Sequence, residues 1–407
     1  MSQTTVTPAD DPRPPVLTYL RLFLRFVRFG LLAFGGPVAQ IAMIRRDLVE
    51  REGWISSARF NRLLAVMQVL PGPEAHELCV HLGIRARGRL GGFLAGLGFM
   101  LPGLLLMLGL AWAYVAFAPA MGAMAGAFLG IQVVVVAIIV RAVQRIGVHV
   151  LEDRLLWALS IVAGLATLAG AGFWIVLAAS GAIYALTGSG RRALAAIVAV
   201  AAVATAIAMR LMVLQAEPIV AATGVSLLTQ ASALALFWAG LKAGMLTFGG
   251  AYTAIPYVRA DTVGRGWIGD GTFLDGVAFA GVLPAPLVIF CTFVGYVAGG
   301  WAGALAITAG VFLPAFAFSM VFYERLEAVV ENVGLHRLLA GVAAAAVGII
   351  AATSLQLGWA TALRVPSLWW AALIFVVGLA VVWRWKSKFN APVVIVLAAI
   401  AGWAAFG

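Results

Sequence analysis

Acidic side chains are scarce in this chain, 16 in 407 residues, and all charged residues together make up only 11%. That excludes a single soluble core under a broad charged surface. Cysteine is nearly absent as well. Cys79 and Cys291 both lie inside apolar stretches, which excludes a disulfide framework. There is no Walker A sequence, no dinucleotide fingerprint after a strand, and no polar stretch long enough to fold as a soluble domain. What the chain has is apolar length. Hydrophobic residues are 63% of the total, and most apolar stretches approach or exceed the roughly 20 residues needed to cross about 30 Å of hydrocarbon. The composition is that of an all-α polytopic membrane protein with no enzymatic domain.

The opening MSQTTVTPADDPRPPV is polar and Pro-rich, without a compact apolar core ending in a cleavage site. Residues 1–16 therefore read as a disordered cytoplasmic tail, and the first span as its own insertion signal. The net charge of +11 is what basic loops held on the cytoplasmic side produce, so no nucleic-acid partner is expected.

One stretch is written twice. LAFGGPVAQIAMIRRD at 32–47 recurs as LTFGGAYTAIPYVRAD at 246–261, with Phe, Gly, Gly, Ile, Arg and Asp in register. The correspondence continues through Trp54-Ile55 and Trp267-Ile268, LPGP at 70–73 and LPAP at 283–286, and Leu101-Pro102 and Leu313-Pro314. It also pairs Gly83, Gly91, Gly130 and Gly147 with Gly295, Gly303, Gly341 and Gly358, the offset drifting only from 214 to 211. Such a pattern is a duplicated domain.

Six elements are expected in each copy, at 17–45, 59–84, 89–117, 119–145, 155–170 and 172–188, then at 226–247, 272–297, 300–322, 333–356, 366–383 and 390–406. The apolar stretch 192–213 has no counterpart. An even count returns each copy to its starting side, and one extra crossing between copies inverts the second. The expected architecture is thirteen elements: a first repeat at 17–190, a linking transmembrane helix at 191–225 and an inverted second repeat at 226–407. With the N-terminus cytoplasmic, Arg-rich loops fall on the inner side. The exception is the loop carrying Arg45, Arg46, Arg51, Arg59 and Arg62. Either it is exported with its acids Asp47, Glu50 and Glu52, or the first two elements form a re-entrant hairpin.

Gly35-Gly36-Pro37 and Pro71-Gly72-Pro73 break helices, because paired Gly removes side-chain bulk and Pro removes a backbone donor. Breaks at membrane depth are tolerated only where protein or a water-filled cavity satisfies the freed backbone. A helix restarting there aims an N-terminal half-charge at an anion. Gly249-Gly250 and Pro284-Ala285-Pro286 repeat both breaks, and inversion would bring the two sets together.

These motifs, with LPGPEAHELCVHLG and GWIGDGTFLDGVAFAGVLPAPLVIFCTFVGYVAGG, resemble the chromate ion transporter family in its long, two-domain form. The resemblance covers nearly all the chain apart from the tail and linking helix. It implies chromate export across a bacterial inner membrane, chromate resistance, and a substrate site at Gly35, Gly36, Pro37, Gln68, Pro71, Gly72, Pro73, Gly249, Gly250, Pro284 and Pro286. Ala251 in place of Pro37 and Ala285 in place of Gly72 argue against strict equivalence of the halves. Arg28 and Lys242 join the expected site because a dianion in low dielectric needs cations, snorkelling being the alternative reading of each.

Glu74 and Glu77 stand at i, i+3 on one helical face, where the second copy is apolar. Either is a candidate to carry a proton exchanged against the anion; pairing with Arg62 or Arg85 is the competing reading. His76 and His81 are five residues apart, one too many for the zinc-helix motif, and no metal or cofactor is expected. Transport would then draw on gradients. Export of a dianion down an inside-negative potential yields about 4.6 kcal/mol per 100 mV. The expected partners are chromate, or sulfate or a similar oxyanion, together with the lipid bilayer and a second copy in a homodimer. A sulfate carrier or an anion channel remain alternatives.

Overall fold

A computed structural model describes residues 12, 14–67, 71–117, 122, 124–222, 231–248, 250–321, 333–385 and 387–407. Most of the 1–16 tail, Gln68, Gly249 and the end of the linking segment at 223–225 lie outside the described residues. Among the described residues every regular element is helical.

The first half contains α1 (Tyr19–Leu31), α2 (Gly36–Ile44) continuing into a π-helical turn (Arg45–Arg51), and α3 (Ser57–Met67). It goes on through α4 (Glu74–Ala116), α5 (Ala125–Val150), α6 (Arg154–Leu168) and α7 (Phe173–Gly188). After α8 (Arg192–Ala222) the order repeats: α9 (Ala233–Met245), α10 (Ala254–Thr262), α11 (Asp270–Val282), α12 (Phe290–Val321), α13 (Val333–Ala362), α14 (Leu368–Arg384) and α15 (Asn390–Phe406). Five helices are long and apolar enough to cross a membrane: α4, α5, α8, α12 and α13. The other apolar helices, α6, α7, α9, α14 and α15, have 13 to 17 residues. The structure thus divides the chain more finely than six uniform stretches per half. The stretch 17–45 splits around Gly35, whose positive φ interrupts the helix, and 59–84 is divided between α3 and α4, the latter starting after Pro73.

Each half contains a long helix folded back on itself. In α4 the turn is at Arg87 and Gly88, the latter at φ +66, ψ −167; in α12 it is at Gly299 and Gly300, the latter at φ +61, ψ −154. Only glycine occupies that backbone region without strain. The limbs pack so closely that a Cβ on Gly83 would lie 2.5 Å from the Gly91 carbonyl oxygen and one on Gly295 2.6 Å from the Gly303 carbonyl oxygen. The second limb of α4 lies against α1, where a Cβ on Gly98 would sit 2.8 Å from the Phe23 carbonyl oxygen. Gly310 of α12 makes the same approach to the Phe237 carbonyl of α9.

Packing interlocks the halves. Helices α6 and α7 pack on α13 of the second half, whereas α14 and α15 pack on α5 of the first. Between them α5 and α13 run antiparallel: a Cβ on Gly358 would lie 3.5 Å from Val136 Cγ1, and one on Gly147 3.6 Å from Val347 Cγ1. The largest core therefore combines Val135 and Ile139 of α5 with Phe273, Phe290, Phe293 and Ile350 of the second half. Large apolar side chains also point outward, among them Trp157, Ile161, Leu165, Val200, Trp369 and Trp403. Lipid is the solvent for such a surface, and the molecule is a multi-pass membrane protein.

Candidate functional site

The site begins with the helix breaks. Helix α1 closes with the Leu32 amide donating to the Arg28 and Phe29 carbonyls, after which Gly35 at φ +91 and Gly36 at φ +75 turn the chain into α2. Two consecutive positive φ angles call for glycine, and Pro37 in the first turn gives up an amide that has no helical partner anyway. Gly72, at φ +148, precedes Pro73, the cap of α4. In the second half Gly250, at φ +128, opens a 3₁₀ turn (Ala251–Thr253) into α10, and Pro286 opens another (Leu287–Ile289) into α12.

Breaks from the two halves touch. The Gly72 amide donates to the Thr247 carbonyl at 2.8 Å, joining the Pro-Gly-Pro turn to the segment before Gly250. Gln40 of α2, buried, donates from Nε2 to the carbonyls of Ala33 and Ala285, both at 2.9 Å. One amide group thereby ties the end of α1 to the Pro-Ala-Pro turn of the other half.

Two cavities, about 470 and 430 Å³, share Val38, Arg145 and Tyr252 in their walls. The first is lined by Pro37 from one half and Gly250 from the other; the second by Gly35, Gly36 and, from the second half, Ala285. Their walls carry the cations Arg141, Arg145, Arg337 and Lys388 against the carboxylates Glu74 and Glu152. Arg141 is engaged by Gln144 and lies 4.5 Å over the Trp383 ring. Arg145 is different. Its half-buried guanidinium makes no hydrogen bond or ion pair with any described residue, although it stands in both cavities. A half-buried cation beside the N-terminus of α2 is a place for an anion.

The expected site residues divide into three groups. Gly35, Gly36, Pro37 and Gly250 line the cavities. Pro71, Gly72, Pro73, Pro284 and Pro286 are buried behind them, in the turns that position the helix starts. Arg28 is exposed on α1 and lines neither cavity, and Lys242 Nζ is held by Asp261 Oδ1 of α10 at 2.7 Å. Gln68 and Gly249 lie outside the described residues. The two acids also separate: Glu74 faces the first cavity, while Glu77 is fully buried against Gly72 with neither carboxylate oxygen hydrogen-bonded to a described residue. Neither pairs with Arg62 or Arg85, and Arg85 donates instead to the carbonyls of Trp54 and Pro12. Sequence reasoning missed Gln40 and Arg145 as site residues. The expected element 119–145 stopped at Arg145, whereas Arg141 and Arg145 stand at i, i+4 within a helix that continues to Val150. That spacing inside an apolar run was the available signal.

A family model described as "Chromate transporter" matches residues 20–231 and 234–403. The chain is 61% identical over 393 residues to a chromate transport protein of Pseudomonas aeruginosa, covering 97% of this chain and 94% of that protein. It is 31% identical to a chromate transport protein of Cupriavidus metallidurans (96% and 94% covered) and 30% identical to a probable chromate transport protein of Synechococcus elongatus (95% and 96%). No solved structure matches.

Proposed function

Because the chain belongs to the chromate transporter family, and so is a membrane transporter rather than an enzyme, we propose that it exports chromate from the cytoplasm through the paired cavities around Arg145. One observation carries this reading: a half-buried guanidinium that makes no hydrogen bond or ion pair with any described residue, between the Gly35-Gly36-Pro37 break of one half and Gly250 of the other. The dianion would sit against Arg145 and the first amides of α2, with Arg141 and Lys388 raising the local positive potential. The broken helices and Gln40 would hold those groups in register. Pro71, Gly72, Pro73, Pro284 and Pro286 act in this scheme by positioning the helix starts.

The domain plan is a repeat at 17–190, a linking helix at 191–225 and an inverted repeat at 226–407, in a bacterial inner membrane with the N-terminus cytoplasmic. The antiparallel course of α5 and α13, and the reciprocal docking of α6 and α7 on α13 and of α14 and α15 on α5, support inversion. No ATP-binding motif is present in the sequence, and membrane potential is the proposed driving force, producing chromate resistance.

The test is chromate uptake into everted vesicles, with and without an imposed potential and with sulfate as competitor. Saturable, potential-driven uptake is expected. Arg145→Gln should lower uptake at least about tenfold, the loss of one charge-assisted contact worth about 1.5–3 kcal/mol. Saturable sulfate movement without chromate accumulation would replace chromate by another oxyanion as the substrate. Fast, unsaturable flux would mark a channel.

A further inference from the structure

We propose that Glu74 is a proton-binding group whose ionised form competes with the transported anion for Arg145, so that anion and proton bind together. The inference rests on the anion site proposed above and names its coupling ion. Glu74 stands in the first turn of α4, 8% exposed, and lines the same cavity as Arg145. Its carboxylate, like the Arg145 guanidinium, makes no hydrogen bond or ion pair with any described residue. Two opposite charges thus share one cavity without closing on each other. Both remain available to a third species between them.

The competition is electrostatic. Arg145 carries a single charge and cannot neutralise a carboxylate and a dianion at once, and the two anionic groups repel across the cavity. Binding of the dianion beside an ionised Glu74 is therefore penalised. A proton delivered from the cavity to the carboxylate removes that penalty, and by reciprocity the anion holds the proton. When the anion leaves on the far side, the proton leaves with it and Arg145 returns to the field of the carboxylate. No bond other than O–H forms or breaks. Each turnover then carries one net negative charge instead of two.

Other groups facing Glu74 have to be separated from it. From α5 these are Arg145 and His149, and from the turn after it Glu152; from α7, Tyr184; from the second-half break, Tyr252; from α13, His336 and Arg337. On its own helix Glu77 is the nearby acid. The corresponding position in the second half is Leu287, so the proposed proton site exists once per molecule.

The experiment is chromate binding to the full-length protein in detergent across a pH series, comparing wild type with Glu74→Gln and Arg145→Gln. Chromate's own protonation is common to all three and cancels in the ratio. Wild-type affinity is expected to fall relative to Glu74→Gln as pH rises, the ratio reaching between about 5- and 150-fold, the usual range for coupled sites. Parallel profiles for wild type and Glu74→Gln would overturn the proposal. If Glu74→Gln does not fold, proton uptake by the wild type on adding chromate in weak buffer decides, and its absence overturns the proposal. The anion site itself fails differently: Arg145→Gln would then bind chromate as well as wild type does.

Discussion

Gly72 and Gly36 are both break glycines with positive φ, but they are constrained in different ways. A Cβ at Gly72 would lie 3.0 Å from Glu77 Cδ and 3.2 Å from Ala315 Cβ, whereas one at Gly36 meets no atom within 4 Å. Gly72→Ala should therefore add a packing conflict to backbone strain of about 1–3 kcal/mol, while Gly36→Ala incurs the strain alone. Thermal unfolding in detergent should rank them in that order. Gln40→Ala should cost about 1–3 kcal/mol for each buried carbonyl left unpaired, lowering the unfolding temperature although Gln40 carries no charge. The glycines were legible from their repetition in the sequence. Gln40 was not, because its partner Ala285 is 245 positions away.

At the scale of elements, the hairpins of α4 and α12 define the fold of each half. Gly88 has open space around its missing Cβ, whereas a Cβ on Gly83 would meet the Gly91 carbonyl oxygen at 2.5 Å and Gly92 Cα at 2.9 Å. Gly88→Ala should lower stability by about 1–3 kcal/mol through backbone strain and leave the packing intact. Gly83→Leu should force the limbs apart and lower the yield of monodisperse protein, as read by size-exclusion chromatography. The sequence located the fold-back, since the expected elements end at 84 and resume at 89 around it. It did not indicate that the limbs touch. Periodicity marks where helices stop, while contact between limbs depends on pairs of small residues across the hinge.

On the scale of the whole molecule, the two halves share their largest core, although α1 to α4 of the first half also enclose a core of their own around Phe26, Trp54 and Phe60. With α6 and α7 seated on α13, and α14 and α15 on α5, residues 17–190 or 226–407 produced alone would expose those faces. Each fragment is expected to be degraded, while the linked chain accumulates; immunoblots of membranes from cells making either form would check this. Recovery of a stable, monodisperse single half would contradict interlocking as a source of stability.

By itself the sequence determined the solvent, the repetition and the positions of the helix breaks. These come from composition, from matching motifs and from the backbone limits of Gly and Pro, all of which are local or periodic properties. Tertiary structure alone decided which breaks meet, that Lys242 is held by Asp261 while Arg145 stands in both cavities, and that Glu74 faces the cavity while Glu77 is buried. Those outcomes depend on which helix faces come together. The first-half α5 and the second-half breaks are about a hundred residues or more apart in the chain, and no local pattern records what an arginine on α5 will face.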